Sequence, residues 1–209
     1  MKLQSAEDLR AARVELLELS DAELVERALD DDYRAFEALV VRYEEQFHRL
    51  AWSYMESESE AQDVVQSSFL KIYRKLDTFR GDAKFKNWAY RIVINTALSR
   101  IRKQKSRSEV ALEDVSPDFD EHEELATTSI AEWRVRADEA VENRELRQKI
   151  VEAVNELEPK YKSAFLLYEV EGLSLDEISE VVELTVAGVK SRLHRARLHL
   201  RATLERYIS

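Results

Sequence analysis

The residues of this chain best suited to chemistry are cations set among aromatic rings. From Phe79 to Lys103 the sequence reads FRGDAKFKNWAYRIVINTALSRIRK, and between Arg80 and Ser108 nine basic residues face the single acid Asp82. Rings beside cations suit single-stranded nucleic acid, because exposed bases stack on the rings while Arg and Lys follow the backbone; each stacked base is worth about 1 to 3 kcal/mol. Phe79, beside Gly81 and ahead of a helix, is the candidate for such a contact, since loops on a rigid scaffold carry function more often than helix interiors do. Trp88, at helical spacing from Phe85 and Ile92, reads first as core. A second basic block closes the chain, where Leu184 to Arg206 holds six cations against Glu205. There Val189, Leu193, Ala196 and Leu200 form a buried stripe and leave Lys190, Ser191, His194, Arg195, Arg197 and Arg201 on the other surface. A helix of this kind can enter a major groove, where Arg or Lys reaches guanine and flanking cations neutralise phosphates.

No enzymatic constellation accompanies these blocks. The four His, at 48, 122, 194 and 199, form no HExxH, and the three Gly make neither GxGxxG nor a P-loop. The absence of Cys excludes a thiolate nucleophile, a disulfide framework and Cys-built zinc or iron–sulfur sites, and it fits a reducing compartment. We therefore expect no enzyme, no metal and no cofactor. No apolar stretch approaches the roughly 18 to 20 residues that span a bilayer, and MKLQSAEDLRAARVELLELS lacks a signal-peptide core, so a cytoplasmic protein without membrane insertion is expected.

The elements that must position these residues are helices, because 3 Gly and 2 Pro in 209 residues leave little to punctuate sheets. Ser-x-x-Glu capping boxes at Ser20, Ser57, Ser129 and Ser174 mark helix starts. Apolar residues step by three or four from Phe36 to Tyr54 and again from Val65 to Leu76, and a further helix runs from about Lys84 to Lys103. Beyond it, Glu109 to Glu124 holds eight carboxylates and no Lys or Arg, with the turn-forming Ser116-Pro117-Asp118 inside. Helices then resume near Asp138, stop at Pro159, continue to about Gly172, and finish as a short helix from Leu175 to Val182 and a long one from Val186 to about Tyr207. The last pair has helix-turn-helix proportions. The expected organisation is all-α, with an N-terminal extension over residues 1–19, a helical domain over 20–105, a flexible acidic linker over 106–137 and a second helical domain over 138–209. The formal net charge of −10 taken alone argues against generic nucleic-acid binding, but the gathering of cations into two blocks argues for it.

Two segments carry a resemblance: DVVQSSFLKIYRKLDTFRGDAKFKNWAYRIVINTALSRIRK, and LEPKYKSAFLLYEVEGLSLDEISEVVELTVAGVKSRLHRARLHLR, with 53 residues between them. Together they resemble the extracytoplasmic-function (group IV) sigma factors of RNA polymerase, most closely the envelope-stress type. The resemblance implies a sigma-2 bundle and a sigma-4 helix-turn-helix domain. It also implies partners: core polymerase, through the β′ clamp helices and the β flap, promoter DNA and an anti-sigma factor. Residue by residue, Asp63, Val64, Gln66, Phe69 and Tyr73 match the grip on the clamp helices, with Ser67 where the family usually has an acid. Phe79, Arg80, Gly81 and Asp82 match the loop that captures a flipped base of the minus-ten element, Asn95 matches the polar residue beside it, and Arg91, Arg100 and Arg102 would follow the backbone. Lys190, Ser191, His194 and Arg195 match the readers of the minus-35 element, with Arg192 and Arg197 nearer phosphate. Gly188 stands where the family commonly has Thr, while Thr185 can serve as N-cap. The acidic linker fits either a strand threaded through a basic channel in place of nascent RNA or a solubilising spacer. The alternative from the residues alone is a free-standing helix-turn-helix regulator with a helical sensor or dimerisation domain, which would bind duplex DNA without polymerase.

Overall fold

A computed structural model describes residues 16–108 and 144–208 of the chain, which divides into two compact units, Met1–Lys103 and Gln104–Ser209. Among the described residues the regular structure is all helical, with no strand. The acidic stretch Glu109 to Glu124 and the expected cap at Ser129 lie outside them.

The first unit is built from α1 (Asp21–Leu29), α2 (Tyr33–Trp52), α3 (Glu58–Arg74), a 3-10 turn (Leu76–Thr78) and α4 (Phe85–Ser108). Ser20 starts α1 with the expected capping box, its hydroxyl accepting from the Glu23 N–H while the Glu23 carboxylate accepts from the Ser20 N–H at 2.8 Å. At Ser57 only half of that device forms: the hydroxyl accepts from the Glu60 N–H. The Glu60 carboxylate approaches Arg100 on α4 at 3.9 Å. Residues 16–19, which the sequence reading leaves in the extension, are part of this unit. Leu16 is buried, and Arg42 of α2 donates to the Leu17 and Leu19 carbonyls and, at 2.6 Å, to Asp21. The Tyr43 hydroxyl also donates to Asp21, and burial, then that bond, pushes the phenol well above its usual range. Aromatic rings seat α4 on α2: Phe85 on Tyr43 at 5.8 Å and Tyr90 on Phe47 at 5.5 Å, with the Tyr90 hydroxyl on Gln46 at 3.0 Å.

The second unit holds α5 (Arg144–Glu156), α6 (Pro159–Glu169), α7 (Leu175–Val182) and α8 (Val186–Ile208). Pro159 occupies the first turn of α6, where its missing N–H costs nothing. α6 stops at Glu169, three residues before the expected Gly172, because Gly172 (φ +67°) reverses the chain and Leu173 N–H bonds back to Leu167. Ala153, Leu157, Phe165, Ala196, Leu200 and Leu204 make one core across α5, α6 and α8. Each large apolar side chain so buried contributes about 1.5 to 3 kcal/mol. One charge is buried with them: Lys162, 6 % exposed, donates to Asn155 at 2.9 Å, and burial lowers its ammonium to a pKa of about 8. Among the described residues no helix is long and apolar enough to cross a membrane.

Candidate nucleic-acid and polymerase interfaces

The loop ahead of α4 and the outer side of that helix form the first site. Phe79 follows the 3-10 turn in extended conformation, and its half-buried ring meets Phe85 edge-on at 5.7 Å and Trp88 at 5.3 Å. Phe85 is core, but Trp88 is only half-buried, so Phe79 and Trp88 make an aromatic ledge that continues in the chain into the exposed Arg80, Gly81 and Asp82. Gly81 takes φ +76°, a left-handed turn with nothing within 4 Å of where a Cβ would stand. Conformation rather than space therefore makes glycine the cheapest residue there. Along α4, Arg91, Asn95 and Arg102 are exposed at steps of four and seven, which puts them on one face. Asn95 stands two turns, about 10 Å, beyond Trp88 on that face. Arg100 differs: it reaches back to α3, 3.2 Å from Asp63 and 3.9 Å from Glu60.

On α3 the exposed stripe is Asp63, Gln66, Leu70 and Tyr73, spaced three, four and three. Two of the expected polymerase contacts are less exposed than this stripe. Val64 is 1 % exposed and belongs to the core, where it seats the helix rather than meeting a partner. Phe69 is half-buried, 5.2 Å from Phe47. The sequence reading missed Leu70, 57 % exposed on the same stripe, although a count of seven from Asp63 puts it there. Tyr73 lies 4.9 Å from Phe36 and stacks on the exposed Tyr33 at 6.2 Å; a hydrogen bond to Tyr33 holds its phenol above the usual range.

The third site is the helix-turn-helix. Ser174 caps α7 with the full capping box. Glu183 turns the chain in left-handed conformation at φ 55°, and the Thr185 hydroxyl accepts from the Gly188 N–H at 3.1 Å, the N-cap expected for α8. Val189, Leu193, Ala196, Leu200 and Leu204 face the core, as the spacing requires. Lys190, Ser191 and Arg195 are exposed and His194 half-buried on the other side, within the first three turns. Arg192 sits on the flank of the core stripe, where burial lowers its pKa against the opposing pull of Tyr161. Arg197, expected beside phosphate, is instead committed inward. It pairs with Glu169 of α6 at 2.8 Å, both side chains only 14 % exposed, and its guanidinium lies 5.3 Å from the Tyr168 ring centre. Its position, four after Leu193 and three before Leu200, is the signal that a helical wheel offers for this.

Comparison with known proteins identifies the family. Residues 39–107 match the Sigma-70 region 2 family, and residues 147–200 match Sigma-70, region 4. The ECF RNA polymerase sigma-E factor of Salmonella typhimurium is 37 % identical over 182 residues, covering 86 % of this chain and 92 % of the relative. That of Escherichia coli strain K12 is 36 % identical over 86 % of this chain and 92 % of its own. Among solved structures, CnrH in complex with the cytosolic domain of CnrY shares the fold with a TM-score of 0.61 at 23 % identity, covering 88 % of this chain and 97 % of that one. The sigma factor RpoE of Bartonella quintana, in complex with the anti-sigma factor NepR, does so with a TM-score of 0.57 at 22 % identity, covering 81 % and 96 %. With two region models matched in order and relatives this similar over nearly their whole length, the chain belongs to the extracytoplasmic-function sigma factors of RNA polymerase.

Proposed function

We propose that the chain carries out promoter recognition through three exposed faces. Asp63, Gln66, Leu70 and Tyr73 on α3 grip the clamp helices of the polymerase β′ subunit, while the second unit docks on the β flap. The ledge of Phe79 and Trp88, with Arg80, Gly81 and Asp82 continuing from it in the chain, receives an extruded base of the minus-ten element, and Arg91, Asn95 and Arg102 follow the strand along α4. Lys190, Ser191, His194 and Arg195 read the minus-35 duplex, with Arg192 nearest to phosphate. The observation that carries this reading is the aromatic ledge that leads into the left-handed Gly81 loop, next to a cationic helix face. Sigma factors have no catalysis of their own; extruding a base costs a few kcal/mol, and a pocket for it offsets that cost.

The same reading places the chain beside polymerase in the bacterial cytoplasm, in a stress response held in check by an anti-sigma factor. The Bartonella sigma factor of the same fold is bound by such a protein. Run-off transcription with core polymerase on a promoter library tests the proposal. Specific initiation from a recurring pair of elements is expected. Tight sequence-specific duplex binding by the chain alone, with no dependence on polymerase, would identify a free-standing regulator instead.

A further inference from the structure

We infer that Arg197 is a positioning residue: clamped between Glu169 and Tyr168, it fixes the angle at which α8 presents Lys190, Ser191 and Arg195 to DNA. The inference rests on α8 being the reading helix. Three observations carry it. The guanidinium Nη2 donates to Glu169 Oε1 at 2.8 Å, and at 14 % exposure for each partner this pair is shielded from the salt screening that weakens surface pairs. The guanidinium carbon lies 5.3 Å from the Tyr168 ring centre, within cation–π range. Its Nε is buried too, so this side of the guanidinium faces protein and not solvent.

The clamp joins two elements that are not consecutive. Tyr168 and Glu169 form the last turn of α6, whereas Arg197 lies in the middle of α8, and α7 with its two turns intervenes in sequence. Leu173 just before α7 and Ile178 and Val181 on it are buried. Apolar contacts there are non-directional and tolerate small rotations of α8 about its axis. A bidentate-capable, planar guanidinium with a fixed partner is directional and does not. A helix has to arrive in the groove with its side chains aimed at base edges, so a rotation costs reading before it costs binding. To reach a phosphate instead, Arg197 would have to give up its 2.8 Å bond to the Glu169 carboxylate at a site largely shielded from water, which is unfavourable.

The two roles predict opposite signs for a change in Glu169. Holoenzyme assembled from core polymerase and the full chain would be tested on a promoter chosen by run-off selection and on the same fragment with its upstream element scrambled, across a salt series. If Arg197 positions α8, Glu169→Gln should weaken promoter binding by about 3- to 10-fold and shrink the preference for the intact upstream element. The slope of log affinity against log salt should not change. Arg197→Lys, which keeps the charge and can still pair with Glu169, should recover part of what Arg197→Ala loses. If Arg197 contacts phosphate, Glu169→Gln should tighten binding, and Arg197→Ala should lower the slope by about 0.9; either result overturns the proposal. Unfolding of the variants at the assay temperature, followed by circular dichroism, with no partial rescue by Arg197→Lys would overturn it as well, leaving a purely structural pair. Arg195→Ala serves as the separate check on α8: if it too leaves the upstream preference intact, the reading helix has been misassigned. Loss of preference in Arg195→Ala with none in Glu169→Gln defeats the positioning role alone.

Discussion

Helices α4 and α8 carry the two basic blocks, and each turns one arginine inward, but to different depths. Arg197 meets Glu169 where both side chains are 14 % exposed, whereas Arg100 meets Asp63 with the carboxylate 58 % exposed. Removing one member of a buried pair costs about 3 to 5 kcal/mol because the other charge stays behind in low dielectric. An exposed pair is worth about 0 to 1 kcal/mol. Similar residues on similar helices are thus a fixed brace in one unit and an adjustable contact in the other. The seating of the helices differs in the same sense. Rings lock α4 onto α2, with Phe85 on Tyr43 and Tyr90 on Phe47, while the buried stripe of α8 is itself aliphatic, packs with Phe165 of α6 and takes its orientation from a polar clamp.

The largest expected effect would break this comparison outright if it failed. Arg197→Ala should destabilise the second unit by about 3 kcal/mol or more and leave the first unchanged. Hydrogen exchange resolved by helix measures it: amides of α6 and α8 should lose protection while those of α2 and α3 keep theirs. Uniform loss over both units, or none, would show that the depth of the pair does not decide its worth.

A second, smaller effect separates the two units by the step they serve. Asn95→Ala should leave closed-complex formation nearly intact and reduce open-complex formation by about 1 to 3 kcal/mol, as expected if Asn95 meets its base only once the duplex has melted. A template already unpaired at the minus-ten element should recover part of that loss. Permanganate reactivity of thymines beside polymerase retention distinguishes the outcomes, and normal melting with reduced retention would move Asn95 to docking. Asn95 is preferable to Phe79 for this test, because the Phe79 ring also supports Phe85 and Trp88.

Much of this arrangement was legible in the sequence, and the failures share a cause. Ser20, Ser174, Thr185 and Pro159 announce helix starts because capping is local chemistry, settled within four residues. The stripe of Val189, Leu193, Ala196 and Leu200 is likewise a matter of period. Val64 and Arg197 follow that period more than their motif position: Val64 is itself a core residue, and Arg197 flanks the core stripe of its helix. The approach of Glu60 to Arg100 was not legible at all, since Arg100 is forty residues away in sequence and brought alongside only by the fold. Long-range pairing of charges leaves no mark in a local pattern.

Lys162 gives a pH-dependent contrast between the units, of about 2 kcal/mol. Its folded pKa of about 8 lies below the roughly 10.4 of an unfolded lysine, so between these values the unfolded chain holds more protons and the second unit gains stability as pH rises. Below pH 8 the burial penalty is present in full. Lys162→Met should therefore stabilise the second unit at pH 7, flatten its profile between pH 8 and 10, and leave the first unit unaffected. Asn155 is exposed and water can replace the missing hydrogen bond. Unfolding midpoints measured by unit at pH 7 and pH 10 check this; a wild-type profile flat over that range would mean that the ammonium is better solvated than its burial suggests.

The smallest expected effect falls on Arg100. Because Asp63 is more than half exposed, Arg100→Ala should change the stability of the first unit by less than about 1 kcal/mol. That weakness is what makes the residue available: a phosphate oxygen approaching α4 competes with Asp63 at little cost, whereas the same approach to Arg197 would have to break a pair at 14 % exposure. The two arginines should accordingly part company in salt dependence. Arg100→Ala should lower the salt slope of holoenzyme on a fork template, single-stranded at the minus-ten element, by about 0.7, the value for one phosphate contact to a single strand. Arg197→Ala should leave the slope where it was. Asp63→Asn sharpens the point from the other side. It frees Arg100 without removing its charge, so the slope should hold while retention of core polymerase falls, as expected if Asp63 also serves the grip. An unchanged slope in Arg100→Ala would make Arg100 a second brace, and the difference between the two helices would then lie in exposure alone and not in use.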